Sequence, residues 1–145
     1  MKQHHQKDST IYLMARPTLP NNVVLNQDLV TECTLEVYDK AGTLVWTKGL
    51  NVSLDPPVGC FFNSVTTDHT NDPWWKKDSG GYTFWYALTP GDLDDNASAL
   101  DLQGGQFYDV RAVLQTEGGV TSWPELDDYG PQVVEWRVSL ASSRG

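Results

Sequence analysis

Cysteine and basic residues are scarce. Only two cysteines occur in 145 residues, and ten lysines and arginines stand against nineteen aspartates and glutamates. Cys33 and Cys60 allow one bridge or none. With no CxxC pair and no histidine nearby, they cannot build a structural zinc site. A net charge of -9 and a pI near 4.5 exclude electrostatic capture of nucleic acid or anionic lipid, because there is no basic surface to release counterions. No apolar run reaches the roughly 18 residues of a membrane-spanning helix. The first twenty residues do not read as a signal peptide either: Lys2, His4, His5, Lys7 and Asp8 come first, and the apolar stretch 11–15 is too short for an h-region. Without an export signal, both cysteines are expected to be reduced and buried as small hydrophobes. Internal repeats and helical periodicity over ten or more residues are also missing. The composition points to a soluble, acidic, single-domain protein.

Aromatic residues are plentiful: six tryptophans, six tyrosines and four phenylalanines. Twelve glycines and eight prolines punctuate the chain at short intervals. Aromatic and β-branched residues suit a pleated surface, so this profile favours many short strands. The clearest is 30–38, where Thr31, Cys33, Leu35 and Val37 fall on one face and Glu32, Thr34 and Glu36 on the other. Asp39-Lys40-Ala41-Gly42 reads as a turn, with Gly42 at positive φ. Over 43–54, Leu44, Trp46, Leu50, Val52 and Leu54 alternate, and Lys48 interrupts their face. Asp55-Pro56-Pro57 ends that strand.

Further strands are predicted at 10–16, 60–65, 82–88, 108–115, 120–123 and 133–140. The stretch 92–102 leaves room for one turn of helix. Seven or eight short strands between turn signals predict an all-β fold, an antiparallel β-sandwich over residues 10–145, preceded by a flexible polar N-terminal arm over 1–9. Cys33, Leu35, Val37, Trp46, Tyr108, Val110, Leu114, Trp136 and Val138 are expected to share one core.

The long polar loop 66–81 carries the most provocative string, Trp74-Trp75-Lys76-Lys77. Adjacent tryptophans on an extended segment cannot both point inward. They are read either as contact anchors for a neighbour or as a plug over one end of the sandwich. With His4 and His5 of the arm, these four residues form the predicted partner-binding set. Asp92, Asp94, Asp95 and Asn96 invite a calcium reading but do not match EF-hand spacing, and a solvated turn explains them equally. Glu125, Asp127 and Asp128 form a second acidic loop of the same kind. His69, with Asp68 and Asp72, lacks partner histidines and a nucleophile motif, so no catalytic residue, metal or cofactor is assigned. The sequons at Asn51-Val52-Ser53 and Asn96-Ala97-Ser98 matter only to a secreted chain.

Two features resemble the immunoglobulin-like fold. Cys33 and Trp46, thirteen residues apart, stand like its core cysteine and tryptophan. Gly105-Gln106-Phe107-Tyr108-Asp109-Val110 resembles the start of its penultimate strand, where a tyrosine two residues before the core position makes a tyrosine corner. Val110 stands where the second core cysteine would be. More broadly, 30–140 looks like immunoglobulin-like accessory proteins of tailed-phage virions, through Asp39-Lys40-Ala41-Gly42-Thr43, Gly81-Tyr82-Thr83-Phe84 and the run from Gly105 to Gly119. That resemblance implies a non-enzymatic virion protein made in the host cytoplasm. Its role would be capsid decoration or cement, or a tail or baseplate subunit. Its partners would be virion proteins or copies of itself, with neither nucleic acid nor membrane. A carbohydrate-binding module is the competing class, with Trp74, Trp75, Trp123 and Tyr129 stacking on sugars.

Overall fold

The alternation of apolar and polar residues is realised as two facing sheets. A computed structural model describes residues 2–5, 9–19, 22–56, 58–66, 81–116 and 132–140, and every regular element among them is a strand. In chain order these are β1 (Lys2–His5), β2 (Ile11–Ala15), β3 (Val30–Tyr38), β4 (Leu44–Leu50), β5 (Phe61–Thr66), β6 (Tyr82–Leu88), β7 (Phe107–Thr116) and β8 (Gln132–Leu140). The larger sheet runs β1-β8-β7-β3-β4 and the smaller β2-β6-β5. All pairs are antiparallel except β1 with β8. The protein is an all-β sandwich.

Between the sheets lies one core. The larger sheet contributes Cys33, Leu35 and Val37 from β3, Trp46 from β4, Tyr108, Val110, Ala112 and Leu114 from β7, and Trp136, Val138 and Leu140 from β8. The smaller sheet answers with Ile11, Leu13, Ala15, Phe61, Phe84 and Leu88. All nine residues expected to share a core do so. Phe84 and Trp136 meet across the sheets with ring centroids 5.6 Å apart, and Phe61 packs edge-on to Phe84 at 5.3 Å. The outer face of the larger sheet is a polar ladder instead. Arg111 pairs with Glu135 and lies over the Tyr38 ring, while Arg137 pairs with Asp109 and lies over Phe107. These exposed pairs add little stability, and they mark that face as one turned to water.

Hydrogen bonding explains where the pattern departs from strict alternation. Thr31 does not share the inner face of β3. The register slips between Val30 and Glu32, so Val30 is buried and Thr31 is exposed; one extra residue in a strand turns its neighbours over. At the far end of β3 the expected turn forms. Asp39 Oδ1 accepts from the N–H groups of Ala41 at 3.0 Å and Thr43 at 2.9 Å, and Gly42 sits at φ 84°. β4 stops at Leu50, short of the predicted 54, and Leu44 and Leu54 are exposed.

β6 also changes face at its start. Thr83 donates its hydroxyl to the buried Leu25 carbonyl at 2.7 Å, while Tyr82 packs with Met14, Phe62 and Trp85 in a second, smaller cluster. The stretch 92–102 holds no helical turn. It is a hairpin-like excursion closed by a Leu93–Ala99 bridge, in which Asp94 Oδ1 accepts from Asn96 and Ser98 N–H, both at 2.8 Å.

Two readings from the sequence need correction. The polar N-terminus, expected to be a flexible arm over 1–9, places Lys2–His5 beside β8 in parallel register, Lys2 opposite Arg137 and His5 opposite Leu140. Pairing with an open sheet edge needs backbone groups alone, so the lack of apolar side chains did not prevent it. Cys33 and Trp46 lie on adjacent strands of one sheet. They are therefore not the inter-sheet pair that the immunoglobulin-like resemblance implies.

Trp136 is almost fully buried at the sheet-to-sheet contact, and its indole Nε1 has no hydrogen-bond partner among the described residues. Trp136→Ala is expected to cost about 3–5 kcal/mol in urea unfolding, through lost transfer energy and a cavity. Trp136→Phe should cost distinctly less, since no hydrogen bond is given up. Equal losses for the two variants would contradict this packing.

Candidate functional site

β5 pairs only with the first half of β6, through Phe61 opposite Phe84 and Thr66 opposite Tyr82. Trp85 N–H then donates to the Cys60 carbonyl at 2.9 Å. Beyond that point Tyr86–Leu88 has no strand partner on this side among the described residues. Facing it is β4, the outer strand of the larger sheet. Between them opens a cleft of about 470 Å³, lined among others by Lys48, Gly49, Asn51, Val58, Tyr86 and Asp92.

The floor of the cleft is polar because of one residue on β4. Alternation puts Trp46, Lys48 and Leu50 on the inward face, so the lysine that interrupts the apolar pattern is directed between the sheets. Lys48 Nζ lies 2.7 Å from Asp92 Oδ1 and donates to the Tyr86 hydroxyl at 3.2 Å. The Tyr86 hydroxyl in turn donates to Asp92 Oδ2. Side-chain exposure is 32% for Lys48 and 10% for Asp92, so this pair is far less screened by solvent than those on the outer face. Burial first, and then the bond to Asp92, push the Tyr86 hydroxyl above its usual range, keeping it protonated as the donor.

These contacts fasten the 89–100 excursion to the edge of β4. Trp46 Nε1 donates to the Asp92 carbonyl at 3.2 Å. Asp95 N–H donates to the Thr47 carbonyl at 3.1 Å, and Gly49 N–H donates to Asp95 Oδ1 at 2.9 Å. An exposed strand edge is open to unwanted pairing, and an inward charge with a covering turn closes it. The aspartates that suggested calcium thus have structural work: Asp92 holds Lys48 and Tyr86, Asp94 caps its own turn, and Asp95 caps β4. No group of three or more His, Cys, Asp or Glu side chains among the described residues could hold a metal ion.

The loop after β4 forms one side of the cleft, which Val58 lines. The loop 51–59 turns back on itself, with Cys60 N–H donating to the Asn51 carbonyl at 2.9 Å and Gly59 N–H to the Asp55 carbonyl at 3.1 Å. A Cβ on Gly59 would stand 1.9 Å from the Leu54 carbonyl oxygen, so only glycine allows this return. The loop presents Leu54 and Val58 to solvent, Val58 at 73% exposure. Leu93 of the covering turn and Leu44 and Val45 of β4 are exposed as well. Four of the eight large hydrophobic residues that are exposed among the described residues lie on β4 or the loop after it, and Leu93 lies on the turn that covers it.

Of the partner-binding set read from the sequence, Trp74, Trp75, Lys76 and Lys77 lie outside the described residues, as do His69, Trp123, Glu125, Asp127, Asp128 and Tyr129. His4 is exposed on β1 and His5 is half-buried there. The cleft was not found from the sequence. Its one signal was Lys48, because a lysine on an inward face requires a buried acid opposite it. No family model matches the chain, and neither does any curated protein or solved structure.

Asp92→Ala would leave the Lys48 ammonium and the Tyr86 hydroxyl without their acceptor, and is expected to lower unfolding stability by about 1–3 kcal/mol. The raised Tyr86 value also gives a pH dependence. Its contribution is complete below the unfolded value near 10. It is lost as pH rises beyond that, because the unfolded chain ionises while the folded chain holds its proton. Stability measured from pH 8 to 11, a span chosen around the ordinary tyrosine value of about 10, should therefore fall less steeply in Tyr86→Phe than in the parent. Parallel profiles would refute the assignment.

Proposed function

We propose that this chain is a non-enzymatic structural protein of a virion, a decoration or cement protein that ties neighbouring capsid subunits together. The observation that carries the reading is the set of exposed hydrophobic residues on β4, in the loop after it and on the turn that covers it. Exposed hydrophobic residues gathered on one edge are characteristic of protein–protein contact surfaces, and the opposite choice, a polar ladder, is made on the outer face of the larger sheet. The clamp beneath these residues fixes their arrangement before any partner arrives, which lowers the ordering cost of association.

The architecture supports the family part of the reading. Leaving β1 aside, the strands divide into four, β8-β7-β3-β4, and three, β2-β6-β5, the numbers of an immunoglobulin-type sandwich, although β3 lies with β4, β7 and β8 where that fold would put it beside β2 and β6. The Tyr108 hydroxyl, two residues before Val110 at the start of β7, accepts from the Gln103 backbone N–H at 3.0 Å. That is the bond a tyrosine corner makes. Decoration then works by mass action, since a protein that binds only the assembled shell stabilises that shell.

The test mixes purified protein with capsids and tails assembled without it and counts bound copies after sedimentation. Val58→Asp and Leu54→Asp should change the stability of the free protein by no more than about 0.5 kcal/mol. They should weaken capsid association by about 2 kcal/mol, roughly thirty-fold. Trp74→Ala/Trp75→Ala and a deletion of Met1–Ser9 belong in the same assay as the contacts read from the sequence. Undiminished binding by all of these variants would reject the mechanism. Binding to tails alone would reject the decoration role, and retention on polysaccharide without capsid binding would favour the sugar-binding class.

A further inference from the structure

On the side away from β2, strand β6 is covered along only part of its length. Trp85 N–H donates to the Cys60 carbonyl, so Trp85 turns its backbone groups to the β5 side. Alternate residues of a strand point their N–H and C=O groups the same way, and Ala87 therefore does likewise. Tyr86 and Leu88 turn theirs to β2, where they stand opposite Leu13 and Ile11. Had the chain run straight into β5, residues 58 and 59 would lie beside this stretch. Gly59 packs against the Leu54 carbonyl instead, and Cys60 N–H is bound to the Asn51 carbonyl just past the end of β4. The strand position beside Tyr86–Leu88 is thus left as the cleft, and Ala87 lines it. Among the described residues nothing pairs with the Ala87 N–H or C=O on this side.

The chemistry of the cleft selects what can fill that position. Its two charges, Lys48 and Asp92, satisfy each other at 2.7 Å, so a charged side chain would enter without a counterion. The Lys48 ammonium has three N–H donors and directs two at Asp92 and Tyr86, leaving one for a ligand oxygen. A volume of about 470 Å³ is that of a small-ligand site, with room for a few residues and not for a whole element. The neighbouring edge offers no such place. On β4 the Thr47 carbonyl and the Gly49 N–H are already taken by Asp95.

We propose that this cleft is a slot for an extended, uncharged peptide segment of a partner, which adds beside Tyr86–Leu88 as a short antiparallel strand. The residue opposite Ala87 exchanges both backbone bonds with it, as in the hydrogen-bonded pair of an antiparallel ladder. The residues on either side of that one point their side chains between the sheets, as Tyr86 and Leu88 do at the same level. There they meet Tyr86, Lys48 and Asp92, which suits the small hydroxyl side chains of serine and threonine. Main-chain bonds hold the segment, and the inward side chains select it. The inference does not rest on the proposed virion role, because the slot is defined by a backbone edge and is tested with a free peptide.

The probe is the capped pentapeptide acetyl-Thr-Val-Thr-Val-Thr-amide, titrated into the unaltered protein and followed by amide NMR and hydrogen exchange. In the free protein the Ala87 amide should exchange roughly tenfold faster than those of Tyr86 and Leu88, which are bonded to β2. The peptide should bind with a Kd of about 1 mM or tighter. It should slow the Ala87 exchange several-fold and shift the amide signals of Ala87, Gly49 and Thr89. Methylating the amide nitrogens of both valines removes the N–H that bonds to the Ala87 carbonyl, and should weaken binding about tenfold. Replacing the threonines with glutamate or with lysine should abolish it. Ala87→Pro, which removes the outward N–H at a position where no ladder bond is lost, should abolish it as well. An Ala87 amide as protected as its neighbours before peptide is added would overturn the proposal, because the edge would already be occupied. So would absence of binding at millimolar peptide, equal binding of the methylated or charged peptides, or shifts confined to residues away from the cleft. The exchange and the titration use the unaltered chain, so the result does not depend on the proline variant folding.

Discussion

The contact between Phe84 and Trp136 joins one sheet to the other, and the rest of the sandwich is arranged so that it can form. A sheet has a stable inner face only when a second sheet covers it, and these two rings are among the largest side chains that do so. Phe61 extends the aromatic contact within the smaller sheet, while Leu35, Val110, Ala112 and Val138 fill the facing side. Leu35, Val110, Ala112 and Val138 sit in stretches that alternate strictly, so a one-residue slip there would exchange a buried set for a polar one. The register slips at both ends of β3, at Val30 and between Val37 and Tyr38, and along β5 between Phe61 and Thr66.

The open margins of the sheets are treated differently. At the β8 side, a segment of polar sequence serves as an edge strand. At the β4 side, the chain spends three charged residues, Lys48, Asp92 and Asp95, on covering the edge and fixing a turn across it. Apolar residues are then displayed on that covered edge and not on the bare backbone. The result is an edge that resists indiscriminate strand pairing.

Much of this was legible in the sequence. The alternation in 30–38 and 133–140, the Asp39–Gly42 turn and the nine-residue core follow from local period and turn chemistry, which a single strand and its neighbours determine. Tyr108 was also singled out in the sequence, and the backbone N–H that its hydroxyl accepts from, that of Gln103, is only five residues away. What escaped depends on the order of strands in space. Lys48 meets Tyr86 and Asp92 because β4 faces the uncovered half of β6, and nothing local joins those positions. The pairing of β1 escaped for a related reason, because a backbone ladder leaves no mark in the side chains that form it. Cys33 and Trp46 had a suggestive spacing, yet spacing alone does not tell neighbours in one sheet from partners across two.

The parallel ladder between β1 and β8 has a mechanical consequence. It joins the first described strand to the last, with both running in the same direction. Tension applied from the N-terminal side of Lys2 and the C-terminal side of Leu140 would pull these two strands past one another lengthwise. Their hydrogen bonds would be loaded together, as in a lap joint, and would not open one by one like a zipper. The register from Lys2 opposite Arg137 to His5 opposite Leu140 thus places the first resistance to stretching at the outer rim of the larger sheet, before any force reaches the core.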